Sequence, residues 1–168
     1  MSVFLKIVKW ILLFAVVIIV QMAIVPKIAI FGIYPDLVMI LLVVLSVENG
    51  RTAGIWGGFF TGLFIDVFSG GLLGINALAK TIVGGVAGLL ERKNILISPV
   101  FLLILLIIAC VVHDAIIYIP NIYHSGESFK ELPKYLLTSA LPRAVYTTFI
   151  AAVVIVIWEN FIPIKTKR

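Results

Sequence analysis

Long apolar stretches, separated by short polar or charged breaks, make up most of this 168-residue chain. They predict six transmembrane helices, since about 20 apolar residues at 1.5 Å per residue cross a bilayer core. The predicted spans are residues 10–25, 37–47 with part of 28–34, 53–68, 72–90, 96–119 and 142–162. The pattern indicates an all-α integral membrane protein, a compact helix bundle in which residues 1–168 form a single polytopic membrane domain.

The second predicted span is unusually short. Residues 37–47 are continuously apolar but give only about 17 Å of helix, which is too little to cross a bilayer alone. Pro35 separates the preceding apolar residues 28–34 from this helix. We therefore expect a broken or partly re-entrant element, with Pro35 and Asp36 at the start of its helix.

Glycines at four-residue steps mark the third and fourth predicted spans. Residues four apart lie on one face of a helix, and small residues on that face let two backbones approach closely. The third span ends its glycine stripe in an aspartate, and the fourth mirrors it with a lysine. We expect helix packing through Gly54, Gly58, Gly62, Gly84 and Gly88, in a hairpin that also carries Asp66, Asn76 and Lys80 around a turn at Ser69-Gly70-Gly71.

The composition agrees with a lipid environment. The chain is 62% hydrophobic and 12% charged, about half the charged fraction of a soluble domain. The net charge of +5 could suggest nucleic acid, but the basic residues flank apolar runs, as membrane anchors do. We therefore expect membrane lipid and no nucleic acid as a partner. The single cysteine, Cys110, excludes a disulfide framework and leaves the redox compartment open.

The distribution of basic residues predicts the orientation of the chain. Cytoplasmic loops of membrane proteins are enriched in lysine and arginine. With both termini cytoplasmic, eight basic residues lie inside, namely Lys6, Lys9, Arg51, Arg92, Lys93, Lys165, Lys167 and Arg168. Three lie outside, namely Lys27, Lys130 and Lys134. The sequence therefore predicts cytoplasmic termini.

This orientation places five charged residues in the outer half of the membrane: Asp36, Asp66, Lys80, Asp114 and Arg143. A charge in a transmembrane helix costs at least about 2.5–3.5 kcal/mol, so unpaired exposure to lipid is disfavoured. We expect these residues to form one polar cluster, with Asp66–Lys80 as the favoured pair and Asp36 or Asp114 as the partner of Arg143. A purely structural ion-pair network and a ligand- or partner-sensing site both remain open.

No catalytic or metal-binding motif is present in the sequence. A nucleophile elbow, a His-Glu-x-x-His helix and a phosphate-binding loop are all missing. His113 and His124 are eleven residues apart, with no cysteine or acidic residue at a metal-ligand spacing. His113 and Asp114 are adjacent on a helix and point in different directions, so we do not expect them to contact each other. We therefore expect no enzyme activity, no metal and no cofactor.

The middle of the chain resembles the rod shape-determining protein MreD family. The resemblance covers roughly residues 34–93 and rests on a Pro-Asp helix start, a polar break and the glycine–aspartate hairpin. Its motifs are Tyr34-Pro35-Asp36-Leu37, Glu48-Asn49-Gly50-Arg51, the glycine stripe before Asp66, Ser69-Gly70 with Gly74, then Ala77, Ala79, Gly84 and Glu91-Arg92-Lys93.

The resemblance implies a non-enzymatic component of the bacterial cell-elongation machinery, located in the plasma (inner) membrane. Its implied partners are a bitopic MreC-like protein, a peptidoglycan polymerase and transpeptidase, and indirectly the MreB filament. The implied fold is similar to the substrate-binding subunit of energy-coupling-factor transporters, so a vitamin-binding subunit is the alternative. Span one disfavours that alternative because Ala15 and Ala23 are eight residues apart, where such subunits carry an alanine-x-x-x-alanine face. The outer loop, residues 121–134, also lacks tryptophan.

Overall fold

Helices form almost all of the described chain. The computed structural model describes residues 3–70, 72–91, 98–125 and 128–161. Its α-helices are α1 (Val3–Ala23), α2 (Leu37–Ser69), α3 (Ile75–Ala87), α4 (Pro99–Ser125), α5 (Leu132–Tyr135) and α6 (Leu141–Phe161). Short 3₁₀ helices occupy Val25–Ile28, Gly88–Leu90 and Phe129–Glu131, and a π-helical turn, Leu136–Ala140, precedes α6. Several residues used for the sequence predictions lie outside the described residues, namely Gly71, Arg92, Lys93, Leu96, Ile162 and the basic residues after it.

Within the part of the chain that the structure describes, four helical stretches are long and apolar enough to cross a membrane: Phe4–Ala23, Leu37–Ser69, Pro99–Pro120 and Phe129–Ile157. A further helical stretch, Ile75–Leu90, is apolar but shorter. The predicted all-α membrane protein is therefore confirmed, but the count of six spans is not. Predicted spans two and three lie in one helical element, α2, and predicted span four is the short helix.

Helix α2 folds back on itself at Gly50. That residue has φ 83° and ψ −179°, a conformation open essentially only to glycine. A Cβ atom on Gly57 would lie 2.5 Å from Cδ2 of Leu45, although twelve residues of straight helix would separate the two by about 18 Å. We therefore describe α2 as a first arm, residues 37–49, and a second arm, residues 51–69, that run antiparallel.

The second arm packs against α3 through the predicted glycines. A Cβ atom on Gly54 would collide with the backbone of Gly84, and one on Gly62 would collide with Asn76 and Ala77. Between these contacts, Gly58 lies directly against the backbone carbonyl of Lys80. The two helices therefore approach backbone to backbone, as small residues allow in membrane proteins.

The first arm of α2 forms the centre of the apolar core. Its residues Val38, Met39, Leu42 and Val43 are almost completely buried. Helix α1 packs against α2, while α4 packs against both α3 and α6. Further core residues come from the surrounding helices, namely Phe14, Ile18, Val83, Leu106, Ala109, Ala144 and Ala151. The opposite faces of the surrounding helices expose large apolar side chains, as expected of surfaces covered by lipid.

Because Gly58 touches backbone, we predict that Gly58→Ala destabilises the protein by about 2 kcal/mol or more, since the added methyl group forces the two helices apart. Thermal unfolding in detergent measures the effect. Gly85→Ala is the matched control on the same helix pair, because a Cβ atom there would lie 3.1 Å from Cγ1 of the Ile55 side chain and would not collide with backbone. Equal melting temperatures for the two variants would contradict the close backbone packing.

Candidate functional site

A buried ion pair joins the start of α2 to the middle of α3. Asp36 is the N-cap residue of α2, and its Oδ1 accepts a hydrogen bond from the backbone N–H of Met39 at 2.8 Å. Its second oxygen, Oδ2, accepts from Nζ of Lys80 at 2.7 Å. Lys80 is only 1% exposed. One carboxylate therefore caps a helix and neutralises a buried ammonium group at the same time.

Two uncharged polar side chains position Asp36. Gln21 of α1 donates to the carbonyl of Pro35 at 3.0 Å and accepts from the backbone N–H of Leu37 at 2.8 Å. Oγ1 of Thr147 on α6 accepts from the backbone N–H of Asp36 at 3.0 Å. The sequence analysis missed both residues. Signals were available, because Gln21 is the only amide-bearing residue in the first predicted span and Thr147 lies one helical turn after Arg143.

A second ion pair joins α4 to α6. Nη1 of Arg143 donates to Oδ1 of Asp114 at 3.2 Å, so Asp114 is the partner among the two that the sequence allowed. Asp114 is buried, whereas the Arg143 side chain is 25% exposed. The guanidinium group also lies over the ring of Tyr34, 5.2 Å from its centroid, in a cation–π arrangement.

His113 corrects one expectation. Its Nδ1 lies 3.2 Å from Oδ1 of Asp114, although adjacent helical positions were expected to keep the two apart. Both side chains turn toward the same buried space between the helices, and that overrides the divergence of their Cα–Cβ directions. Thr147, one turn after Arg143 on α6, accepts from the backbone N–H of Asp36, so the two ion pairs belong to one neighbourhood.

Asp66 corrects a second expectation, since the predicted Asp66–Lys80 pair is not the one observed. The Asp66 carboxylate instead caps α3, where it accepts from the backbone N–H groups of Gly74, Asn76 and Ala77 at 3.0, 3.1 and 3.0 Å. The Asn76 side chain donates to it at 2.9 Å. The first N–H groups of a helix need acceptors, and the N-cap residue Gly74 has no side chain to provide one. These donors satisfy Asp66 without a cation.

Four of the five predicted charges therefore converge from separate helices. We call the group of Asp36, Lys80, His113, Asp114, Arg143 and Thr147 the charged centre. Its two carboxylates and two cations balance, and His113 lies against Asp114. Among the residues that the structure describes, no three His, Cys, Asp or Glu side chains are placed to hold a metal ion.

The fold and the charged centre define a class: an all-helical membrane protein whose buried charges tie its helices together. Comparison with protein families then assigns the chain. The model for rod shape-determining protein MreD matches residues 1–162, and the chain belongs to the MreD family. The match confirms the resemblance seen in residues 34–93 and extends it to almost the whole chain.

Family membership identifies the chain as a rod-shape-determining membrane protein. Comparison with curated proteins and with solved structures gave no match. The expected similarity to the substrate-binding subunit of energy-coupling-factor transporters therefore stays a prediction.

We predict that Lys80→Met lowers the free energy of unfolding by about 3 kcal/mol, because it leaves the partly buried carboxylate of Asp36, 18% exposed, without its cation. Asp36→Asn should retain the cap on α2, and the double variant should recover part of the loss. Thermal or denaturant unfolding in detergent gives the coupling energy of the pair.

The chain offers two controls for this double-mutant cycle. Lys134 and Glu131 form an exposed pair 3.8 Å apart, so Lys134→Met should cost about 1 kcal/mol or less. Asp66→Asn should also destabilise, but its effect should add to that of Lys80→Met because the two side chains serve separate contacts. A larger coupling of Lys80 to Asp66 than to Asp36 would refute the observed pairing.

Proposed function

We propose that this protein is a non-enzymatic scaffold of the rod-shape machinery. It binds a bitopic MreC-like protein and through it organises a peptidoglycan polymerase and transpeptidase above the MreB filament. The match to the MreD family over residues 1–162 is the observation that carries this proposal. The ionisable side chains of the charged centre are engaged with one another, which suits a structural role better than a reaction.

The charged centre would serve the scaffold by fixing the helices relative to one another. Lys80 ties α3 to the start of α2, and Arg143 ties α6 to α4. Thr147 adds a direct link between α6 and α2 through the Asp36 backbone. Sliding any one of these helices would break a buried polar contact, so the bundle should present its outer faces to a partner as a rigid surface.

We further propose six crossings, with both termini in the cytoplasm and the charged centre toward the outside. The two arms of α2 and the antiparallel α3 supply three helical segments between α1 and α4, which together with α6 gives six. The bias of basic residues, eight against three, favours this orientation.

Reporter fusions test this topology. A reporter active only in the cytoplasm should function when it is fused to either terminus, and a reporter active only outside should function within residues 121–134. Fusions in which the two reporters are exchanged serve as controls and should be inactive. Termini that report from opposite sides would contradict the even number of crossings, and two termini that report from the outside would contradict the proposed orientation.

The outer face of α1 supports partner binding. Of the helices long enough to cross a membrane, α1 is the least buried by the rest of the protein. It exposes large apolar side chains, among them Leu12 and Ile19. A single transmembrane helix of a bitopic partner would gain packing contacts along such a face.

Affinity purification from native membranes, followed by mass spectrometry, tests the function. We expect a bitopic MreC-like protein to co-purify, and Leu12→Ala/Ile19→Ala to reduce its yield because two contact side chains are shortened. Phe60→Ala on the second arm of α2, which is similarly exposed, is the control and should retain the partner. A bound vitamin in place of a protein partner would contradict the scaffold and support the transporter subunit.

A further inference from the structure

We propose that the charged centre holds internal water, in a site formed by His113, Asp114 and Arg143 that opens to the outer side of the membrane beneath Tyr34. This inference does not depend on the scaffold role, since it concerns what the buried polar atoms bind, but its outer side is the one assigned by the topology proposed above. With this water, the charged centre is a hydrated set of ion pairs and not a dry one.

Three atoms of the charged centre are buried without a hydrogen-bond partner in the described part of the chain: Nε2 of His113, Oδ2 of Asp114 and Nε of Arg143. Each belongs to a side chain whose other polar atom is already engaged in the centre. The three unpartnered atoms therefore belong to side chains that contact one another through Asp114. Buried polar groups are almost always hydrogen-bonded, so three on contacting side chains call for a common explanation.

The donor and acceptor pattern of these atoms selects the ligand. When Nδ1–H of His113 donates to Asp114, the other ring nitrogen, Nε2, is left as an acceptor. Oδ2 of Asp114 is also an acceptor, and Nε of Arg143 is a donor. An anion has no proton to offer the two acceptors. A water molecule donates two hydrogen bonds and accepts others, so it can serve all three.

The surrounding charges argue against a metal cation at this position. Lys80 and Arg143 already neutralise Asp36 and Asp114. Within the described ranges, no three His, Cys, Asp or Glu side chains are arranged so that they could hold a metal ion. The ammonium group of Lys80 also needs acceptors. It has three N–H donors, and the one hydrogen bond that the described structure gives for it goes to Asp36. Water between Lys80 and His113 would use those remaining donors.

The route to bulk water lies on the outer side. Asp114 and His113 are buried, whereas the side chain of Arg143 is 25% exposed and leads outward from them. The ring of Tyr34, itself 41% exposed, lies over the guanidinium group. Internal waters of this kind occur about once per 27 residues and bind otherwise unsatisfied polar groups.

Footprinting with X-ray-generated hydroxyl radicals tests the site on the intact protein, reconstituted in lipid nanodiscs. Radicals form from water, so a buried residue beside bound water is oxidised and a dry one is spared. We expect His113 to be oxidised several-fold faster than Phe14, although His113 is 4% exposed and Phe14 8%. Phe14 is the control because it lies in the apolar core. Equal or slower oxidation of His113 would overturn the proposal.

Variants of Tyr34 test the entrance. Tyr34→Ala should raise the oxidation of His113 several-fold by uncovering Arg143, while Tyr34→Phe retains the ring and should leave the rate unchanged. Equal rates in the two variants would overturn the outer route. If His113 is protected in native lipid and becomes reactive only after lipid removal, the site binds a lipid hydroxyl group, and the assignment to water is wrong.

Discussion

The buried ammonium group of Lys80 is the constraint on which the rest of this structure depends. It is 1% exposed within a body that is apolar on its outer faces, so it needs an anion at contact distance. Asp36 supplies that anion at 2.7 Å and is itself held by Gln21 of α1 and Thr147 of α6 through the backbone around it. The ion pair and the backbone hydrogen bonds around Asp36 therefore together join α1, α2, α3 and α6.

The glycines of the second arm make this pair possible by providing space. Gly58 lies against the backbone carbonyl of Lys80, and Gly54 and Gly62 bring the flanking turns of α3 equally close. Any larger side chain on this face would move α3 outward and take Lys80 away from Asp36. The second arm thus allows α3 to pack closely, while the first arm and the neighbouring helices provide the polar groups.

The sequence predicted part of the charged centre but neither all of its residues nor every bond among them. Four-residue spacing revealed the glycine face, and the cost of buried charge indicated that Asp36, Asp66, Lys80, Asp114 and Arg143 would cluster. Asp66 instead caps α3, and Gln21 and Thr147 were not predicted. Asp66 and Lys80 were predicted to pair because they lie at about equal distances from the turn, and this was wrong. The spacing does not show that the N-cap residue of α3 is a glycine, so that the free N–H groups of this helix need an acceptor from elsewhere, which Asp66 provides. The reversal of α2 at one residue, Gly50, is likewise a matter of backbone conformation that hydropathy does not record.

The shortness of the first arm explains why charges are found in the interior at all. Residues 37–49 form about 20 Å of helix, whereas a bilayer core is about 30 Å thick. In the six-crossing topology proposed above, a helix of that length would start inside the membrane, so its N-terminal N–H groups and Asp36 would have to be satisfied by protein. The irregular segment before it stays close to the bundle, since Tyr146 donates to the carbonyl of Ile28 and Ile30 exchanges two backbone hydrogen bonds with Ile33. The short arm therefore creates the polar requirement that Lys80, Thr147 and Gln21 meet.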